Sequence, residues 1–124
     1  MEFVKLILMG NFLSYDACSS VEMCNLGIFL TDDAAEKVSS FKEWLTDDND
    51  LCTCSNATAL EKDNGFILIK DLYSEEEVPT QIKLTYNQFL QILNDWEEKV
   101  VKLWPKEVII KRENDQFVFE TKNG

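Results

Sequence analysis

The sequence predicts an α+β fold, with a mostly antiparallel sheet of about six or seven strands and two main helices packed on one face. Three observations predict this class: two hairpin patterns at residues 58–73 and 106–122, two amphipathic helical patterns at 33–46 and 86–104, and strand-like runs between them. With 124 residues, of which 45% are hydrophobic, the chain can bury one core. We therefore expect residues 1–124 to form a single domain.

The first half of the chain predicts two strands and one helix. Residues 2–9 (EFVKLILM) precede a Gly-Asn turn signal and predict a strand. Residues 10–25 predict a loop with a short helix, and the apolar run 26–31 (LGIFLT) predicts a buried strand. A helix is expected over about 33–46, begun by Asp32 or Asp33 as the capping residue. Its apolar stripe consists of Ala34, Val38, Phe41 and Leu45.

The second half of the chain predicts two hairpins around a helix. The first hairpin turns at Asn64-Gly65, which supplies the positive φ angles of a tight turn, and an acidic linker follows at 74–81. Thr85 and Gln88 form a capping box that begins the helix, and Pro105 ends it. The helix carries a wide apolar stripe of Phe89, Ile92, Leu93, Trp96, Val100 and Leu103. The second hairpin turns around the residues ENDQ.

The charge of the chain excludes some partners and favours others. There are 23 acids and 12 bases, a net charge of −11. Nucleic acids and anionic membranes are bound through lysine and arginine, so neither is an expected partner, and Arg112 is the sole arginine. No apolar run is long enough to span a bilayer, and the first residues lack the pattern of a signal peptide. We expect a cytoplasmic protein whose charged partner is basic.

The sequence carries no recognisable catalytic or cofactor-binding pattern. It has no histidine, and its four glycines never cluster as in a phosphate-binding loop. Residues 48–59 do not match a calcium loop, because Thr53 stands where glycine is required. We therefore expect no catalytic residue, no bound metal and no cofactor.

The four cysteines are expected to be reduced thiols. Cys18, Cys24, Cys52 and Cys54 lack the spacing of a zinc knuckle. A chain without an export signal sits in a reducing compartment, where thiols fill small gaps in or near the core.

Clustered acids are the most unusual feature of the sequence. Residues 32–50 contain seven acids and two lysines, a net charge of −5, and three consecutive glutamates follow Tyr73 and Ser74. Solvated faces that keep the chain soluble are one interpretation. The other is a surface that attracts a basic protein, with aromatic side chains as anchors. On this interpretation the partner-binding residues are Asp32, Asp33, Trp44, Asp47, Asp48, Asp50, Tyr73, Glu75, Glu76 and Glu77.

Three segments resemble a known class of proteins. The segments are GNFLSYDACSS near the start, FKEWL at 41–45, and the run from FLQILNDWEEKVVKLWPKEVII to the final FVFE. Together they resemble the small acidic immunity proteins of bacterial polymorphic toxins, including contact-dependent growth inhibition systems. The resemblance implies that the chain binds a cognate toxin domain, often a basic nuclease, tightly enough to protect the producing cell. We expect it to neutralise the toxin by covering the toxin's active site or substrate groove with carboxylates.

Two alternatives stay open at this stage. One is a nucleic-acid mimic of phage origin that inhibits a host enzyme acting on DNA or RNA. The other is a small enzyme that uses carboxylates or the pair Cys52 and Cys54.

Overall fold

The computed structural model describes residues 2–9, 12–34, 37–54, 57–72 and 80–122. These residues form an α+β fold of eight strands, arranged as two antiparallel four-stranded sheets, with three α-helices. The predicted α+β class is confirmed, whereas one sheet of six or seven strands with two helices is wrong. Local sequence patterns mark strands but do not specify which distant strands pair, and the division into two sheets depends on that pairing.

The described residues form eight strands, three α-helices and two π-helical turns. In chain order they are β1 (Glu2–Met9), β2 (Phe12–Cys18), α1 (Val21–Ile28), α2 (Val38–Thr46), β3 (Cys52–Cys54), β4 (Thr58–Asp63), β5 (Phe66–Asp71), β6 (Gln81–Thr85), α3 (Tyr86–Trp96), β7 (Glu107–Glu113) and β8 (Gln116–Lys122). A π-helical turn, Phe29–Ala34, continues α1, and a second one, Glu97–Val101, continues α3.

The first sheet joins the two ends of the chain in the order β2-β1-β7-β8. β1 pairs with β2 on one edge and with β7 on the other, where Val4 lies opposite Ile110. β7 and β8 form the hairpin that the sequence predicts. β2 corrects the predicted loop at 10–25: polar residues such as Ser14 and Asp16 obscure its strand pattern, and pairing with β1 satisfies its backbone.

The second sheet has the order β3-β4-β5-β6. β4 and β5 form the hairpin predicted around Asn64-Gly65, and both turn residues have positive φ, 51° and 86°. β3 is a short edge strand that the sequence analysis missed, because three residues carry too little alternation to be recognised.

The apolar run 26–31 is helical, which corrects the predicted strand. Ser20 is the N-cap, and its hydroxyl accepts a hydrogen bond from the Met23 N–H at 3.3 Å, so a helix begins before the run is reached. Leu26, Phe29 and Leu30 are fully buried. A helix buried on several sides is apolar all round, and a short run of this kind does not distinguish it from a buried strand.

The helix predicted over 33–46 begins later, at Val38. Residues 32 and 33 belong to the π-helical turn that extends α1, so neither aspartate is the cap of α2. Lys37 takes the N-cap position without a side-chain hydrogen bond. The capping box of α3 is confirmed: the Thr85 hydroxyl accepts from the Gln88 N–H at 3.0 Å, and the Gln88 side chain accepts from the Thr85 N–H at 2.8 Å.

Cys18 and Cys24 are joined by a disulfide, which overturns the expectation of four reduced thiols. Cys18 ends β2 and Cys24 lies in the first turn of α1, so the reversal between these elements brings their Cα atoms to 5.6 Å. Spacing along the sequence does not reveal that reversal. Cys52 and Cys54 are free thiols, and both are exposed rather than packed in the core.

One core joins the two sheets and the helices. It contains Val4 and Leu6 from the first sheet, Leu60 and Ile67 from the second, and Phe89 from α3, all at most 1% exposed. The rings of Phe29 and Phe41 meet edge to face at 4.9 Å within it. This core fixes the end of α2, where the acidic residues lie.

Candidate functional site

The acidic loop (residues 47–50) leaves α2 at its C-terminus and leads into β3. Asp47, Asp48 and Asp50 are exposed. The loop is folded on itself: the Asn49 N–H donates to Asp47 Oδ1 at 3.1 Å, and the Asp50 N–H donates to the Asp47 carbonyl at 3.2 Å. Its short backbone turn therefore presents three carboxylates to solvent in a defined arrangement.

Lys62 of β4 fastens this loop to the second sheet. Its ammonium group donates to the carbonyl oxygens of Trp44, at 2.5 Å, and of Asp47, at 2.7 Å. Its backbone N–H donates to the Leu51 carbonyl at 2.8 Å, so one residue holds both ends of the acidic loop. This role of Lys62 could not be predicted from the sequence, because a lysine in a hairpin arm carries no local pattern that indicates it.

The carboxylates of the acidic loop keep their charge available. The Lys62 ammonium group donates its hydrogen bonds to backbone carbonyl oxygens and forms no ion pair within the described residues. The same holds for the carboxylates of the acidic loop, since no ion pair of the described residues includes Asp47, Asp48 or Asp50. Other acids differ: Glu98 is hydrogen-bonded to Lys102 at 2.7 Å, which lowers the pKa of that carboxyl. The loop can therefore offer unneutralised carboxylates to a cation from outside the molecule.

Trp44, expected as a surface anchor beside the acids, lies in the core. Its side chain is 7% exposed, and its ring meets Phe89 edge to face at 6.2 Å. The Lys62 ammonium lies 4.5 Å from the ring centroid, a cation–π contact that adds to its two hydrogen bonds. Phe41 is equally buried. Trp44 therefore contacts Lys62, the residue that holds the acidic loop, and exposes too little of its side chain to contact a partner.

The side chains of the remaining predicted partner-binding residues lie outside the described part of the structure. Asp32 and Asp33 lie in the π-helical turn after α1, and their side chains are outside the described part of the molecule. Tyr73, Glu75, Glu76 and Glu77 lie outside the described residues.

A cleft of about 390 Å³ lies at the other side of the second sheet. It is lined by residues of β6, the start of α3 and the β7–β8 hairpin, among them Lys83, Gln88 and Arg112. The Arg112 guanidinium donates to Glu22 at 2.8 Å and also bonds Glu2. Its charge is therefore balanced by the protein's own carboxylates, which leaves little to attract an anion.

No grouping of three or more residues that could hold a metal ion occurs in the described ranges. Within the same ranges, no helix has both the length and the apolar character needed to cross a membrane. Searches among known protein families, curated proteins and solved structures found no match to this chain. Within the described residues, the acidic loop held by Lys62 is a fixed, exposed group of three carboxylates that can contact a cationic partner.

Proposed function

We propose that this chain is an immunity-type protein that binds and neutralises a cognate toxin domain, most simply a basic nuclease, in the cytoplasm of the producing cell. The observation that carries the proposal is the set of exposed carboxylates of Asp47, Asp48 and Asp50, which form no ion pair within the described residues, on a loop fixed by Lys62. The net charge of −11 and the resemblance to immunity proteins support it.

The binding mechanism follows from the arrangement of charge. A nuclease groove is lined with lysine and arginine that receive phosphates, and carboxylates presented from a fixed loop can occupy the same positions. Long-range attraction raises the association rate by ten- to a thousandfold at low ionic strength. Because the loop is already folded against the sheet, binding loses less conformational entropy than ordering a mobile segment would.

Neutralising the acidic loop tests the proposal. Replacing Asp47, Asp48 and Asp50 together by asparagine keeps the side-chain oxygen that accepts from the Asn49 N–H but removes three charges. We expect the association rate with a basic toxin domain co-purified from the native operon to fall about tenfold or more at low salt, and the difference to shrink at high salt. Stopped-flow or surface plasmon resonance at two salt concentrations measures it.

A matched variant distinguishes the effect of the acidic loop from the effect of net charge on the association rate. Glu113→Gln, Asp115→Asn and Glu120→Gln remove three exposed charges from the β7–β8 hairpin, which belongs to the other sheet. We expect this variant to associate at close to the rate of the unmodified protein. Equal losses in both variants would show that net charge alone matters, and no loss in the acidic-loop variant would exclude the loop as the contact.

A further inference from the structure

The chain turns sharply where the helical segment after α3 ends. The Trp104 N–H donates to the Val100 carbonyl at 2.8 Å, and Trp104 has a φ of +46°. This is the left-handed cap that commonly closes a helix, at the position where glycine is usual because it lacks a Cβ. Pro105 follows and prevents the helix from continuing.

Trp104 holds this strained conformation without being buried in return. Left-handed backbone costs free energy for a residue with a Cβ, and strained residues cluster at functional sites. The Trp104 side chain is 39% exposed, and Leu103 beside it is 64% exposed, while Trp44 and Trp96 are in the core. A rigid cap therefore displays two large apolar side chains to solvent.

The segment that carries these two side chains is basic. Lys99, Lys102 and Lys106 are exposed and lie close to them in the sequence, and residues 97–106 carry a net charge of +1 in a chain of −11. The two acids of the segment are already paired, Glu97 with Lys42 at 3.6 Å and Glu98 with Lys102 at 2.7 Å. Within the described residues Lys99 and Lys106 form no ion pair. We call residues 99–106 the Trp104 turn.

The Trp104 turn lies at the opposite end of the helix pair from the acidic loop. Trp44, near the end of α2, packs on Phe89 near the start of α3, and Lys42, two residues earlier in α2, reaches Glu97 beyond the end of α3, so the two helices run antiparallel and the acidic loop follows α2 on the side where α3 starts. The helical rise from Phe89 to Val101 separates the two ends by roughly 20 Å. That is more than twice the screening length of about 8 Å at physiological salt, so the acidic loop does not dominate the field at the turn.

We propose that the Trp104 turn is a second protein-binding surface, for a partner that presents an apolar helix face bordered by carboxylates. Tryptophan is among the residue types most enriched as energetic anchors at protein interfaces. Lys99 and Lys106 supply the complementary charge, and their unpaired ammonium groups select an acidic border. This surface is independent of the toxin-neutralising function, because it uses other residues and the opposite sign of charge.

A designed peptide serves as the probe. It is an amphipathic helix with leucines on one face and glutamates on the other, and it is titrated against the full chain while tryptophan emission is recorded. We expect a blue shift, because Trp104 moves from water into apolar contact, whereas the other two tryptophans are buried throughout. Trp104→Ala should weaken binding about thirtyfold, and Lys99→Glu with Lys106→Glu about tenfold or more.

Three control variants distinguish binding at the Trp104 turn from nonspecific binding to exposed apolar side chains and from binding at the acidic loop. Val118→Ala removes an apolar side chain that is 40% exposed elsewhere and should leave the affinity unchanged. The variant with asparagine at 47, 48 and 50 should bind the peptide normally whether or not the toxin proposal holds. Trp104→Gly should lose binding like Trp104→Ala yet melt at a higher temperature than it, because glycine accepts the left-handed backbone.

Several results would overturn the proposal. They are the absence of Trp104-dependent peptide binding, equal binding of a peptide with lysine in place of glutamate, and Trp104-dependent binding to phosphatidylglycerol vesicles without binding to the peptide.

Discussion

Lys62 lies on β4, and its ammonium group donates to the carbonyl oxygens of Trp44 and Asp47 at the end of α2. The last carbonyls of a helix have no partner within the helix, and a lysine placed there satisfies them and complements the helix dipole. The same ammonium group lies over the Trp44 ring. At the scale of single residues, this base stabilises the acidic loop without neutralising its carboxylates.

Lys62→Met should destabilise the protein and loosen the acidic loop. Methionine keeps an unbranched stem over Trp44 but removes both hydrogen bonds of the charged group, so we expect a loss of about 1–3 kcal/mol in the free energy of unfolding. Amide exchange of Asn49 and Asp50 should accelerate, because their turn loses its attachment. Urea unfolding and hydrogen exchange measure the two effects.

Lys83→Met is the matched control for this prediction. The Lys83 ammonium lies 4.1 Å from the Phe66 ring centroid, and within the described residues it caps no carbonyl. We expect a loss below about 1 kcal/mol, the size of an exposed cation–π contact. Equal losses in the two variants would show that the ring contact, rather than the capping of α2, accounts for the role of Lys62.

The structural roles of single residues differ in how well the sequence predicts them. The Thr85 and Gln88 capping box is local, so its spacing is sufficient to predict it, and the structure confirms it. Trp44 stands three residues after Phe41 and three residues before Asp47, a position compatible with core or surface until its packing on Phe89 is known. Lys62 acts on residues 15 and 18 positions away, a distance that no local pattern encodes.

At the scale of elements, α1 approaches β1 more closely than a side chain on α1 would allow. A Cβ added at Gly27 would lie 2.7 Å from Val4 Cγ2 and 3.6 Å from Leu6 Cδ2. Both side chains are fully buried, and the Val4 side chain is β-branched with little rotamer freedom. Gly27 is therefore required here by the distance between helix and strand.

Gly27→Ala should lower stability although alanine is the better helix former. The helix propensity of alanine gains about 1 kcal/mol, and the steric overlap with Val4 costs about 1–3 kcal/mol in a packed core, so we expect a net loss of about 1 kcal/mol. Thermal and urea unfolding measure it. Adding Val4→Ala makes room for the methyl group, so the second substitution should cost less in the Gly27→Ala protein than alone. Strict additivity would contradict a steric cause.

Elements formed by neighbouring residues could be predicted, and those that depend on distant contacts could not. Both hairpins have their turn and their two arms within one short segment. β2 is polar enough to resemble a loop until β1 is beside it, and the run 26–31 is helical because Ser20 begins a helix that is then buried between the sheets. The pairing of β1 with β7, which creates the first sheet, links residues about a hundred positions apart.

At the scale of the whole molecule, the charged surfaces lie apart from each other, whereas the hydrophobic core is shared by both sheets. The acidic loop and the Trp104 turn lie at opposite ends of the helix pair, so surfaces of opposite sign project from one body. Both depend on α3, whose packing against β6 and β8 brings residues from both sheets onto one helix. Phe89 is central to this arrangement: it is fully buried and contacts the rings of Phe29 and Trp44 at 5.8 and 6.2 Å.

Phe89→Ala should destabilise the whole molecule in a single transition. Removing a fully buried phenylalanine typically costs about 3–5 kcal/mol through lost burial and the cavity left behind. Because the core joins both sheets, tryptophan fluorescence and far-UV circular dichroism should report the same shifted midpoint in urea. Leu90→Ala, one residue further and 38% exposed, should change stability by less than about 1 kcal/mol. Separate transitions for the two probes would show instead that the sheets unfold independently, and the acidic loop would then depend on the second sheet alone.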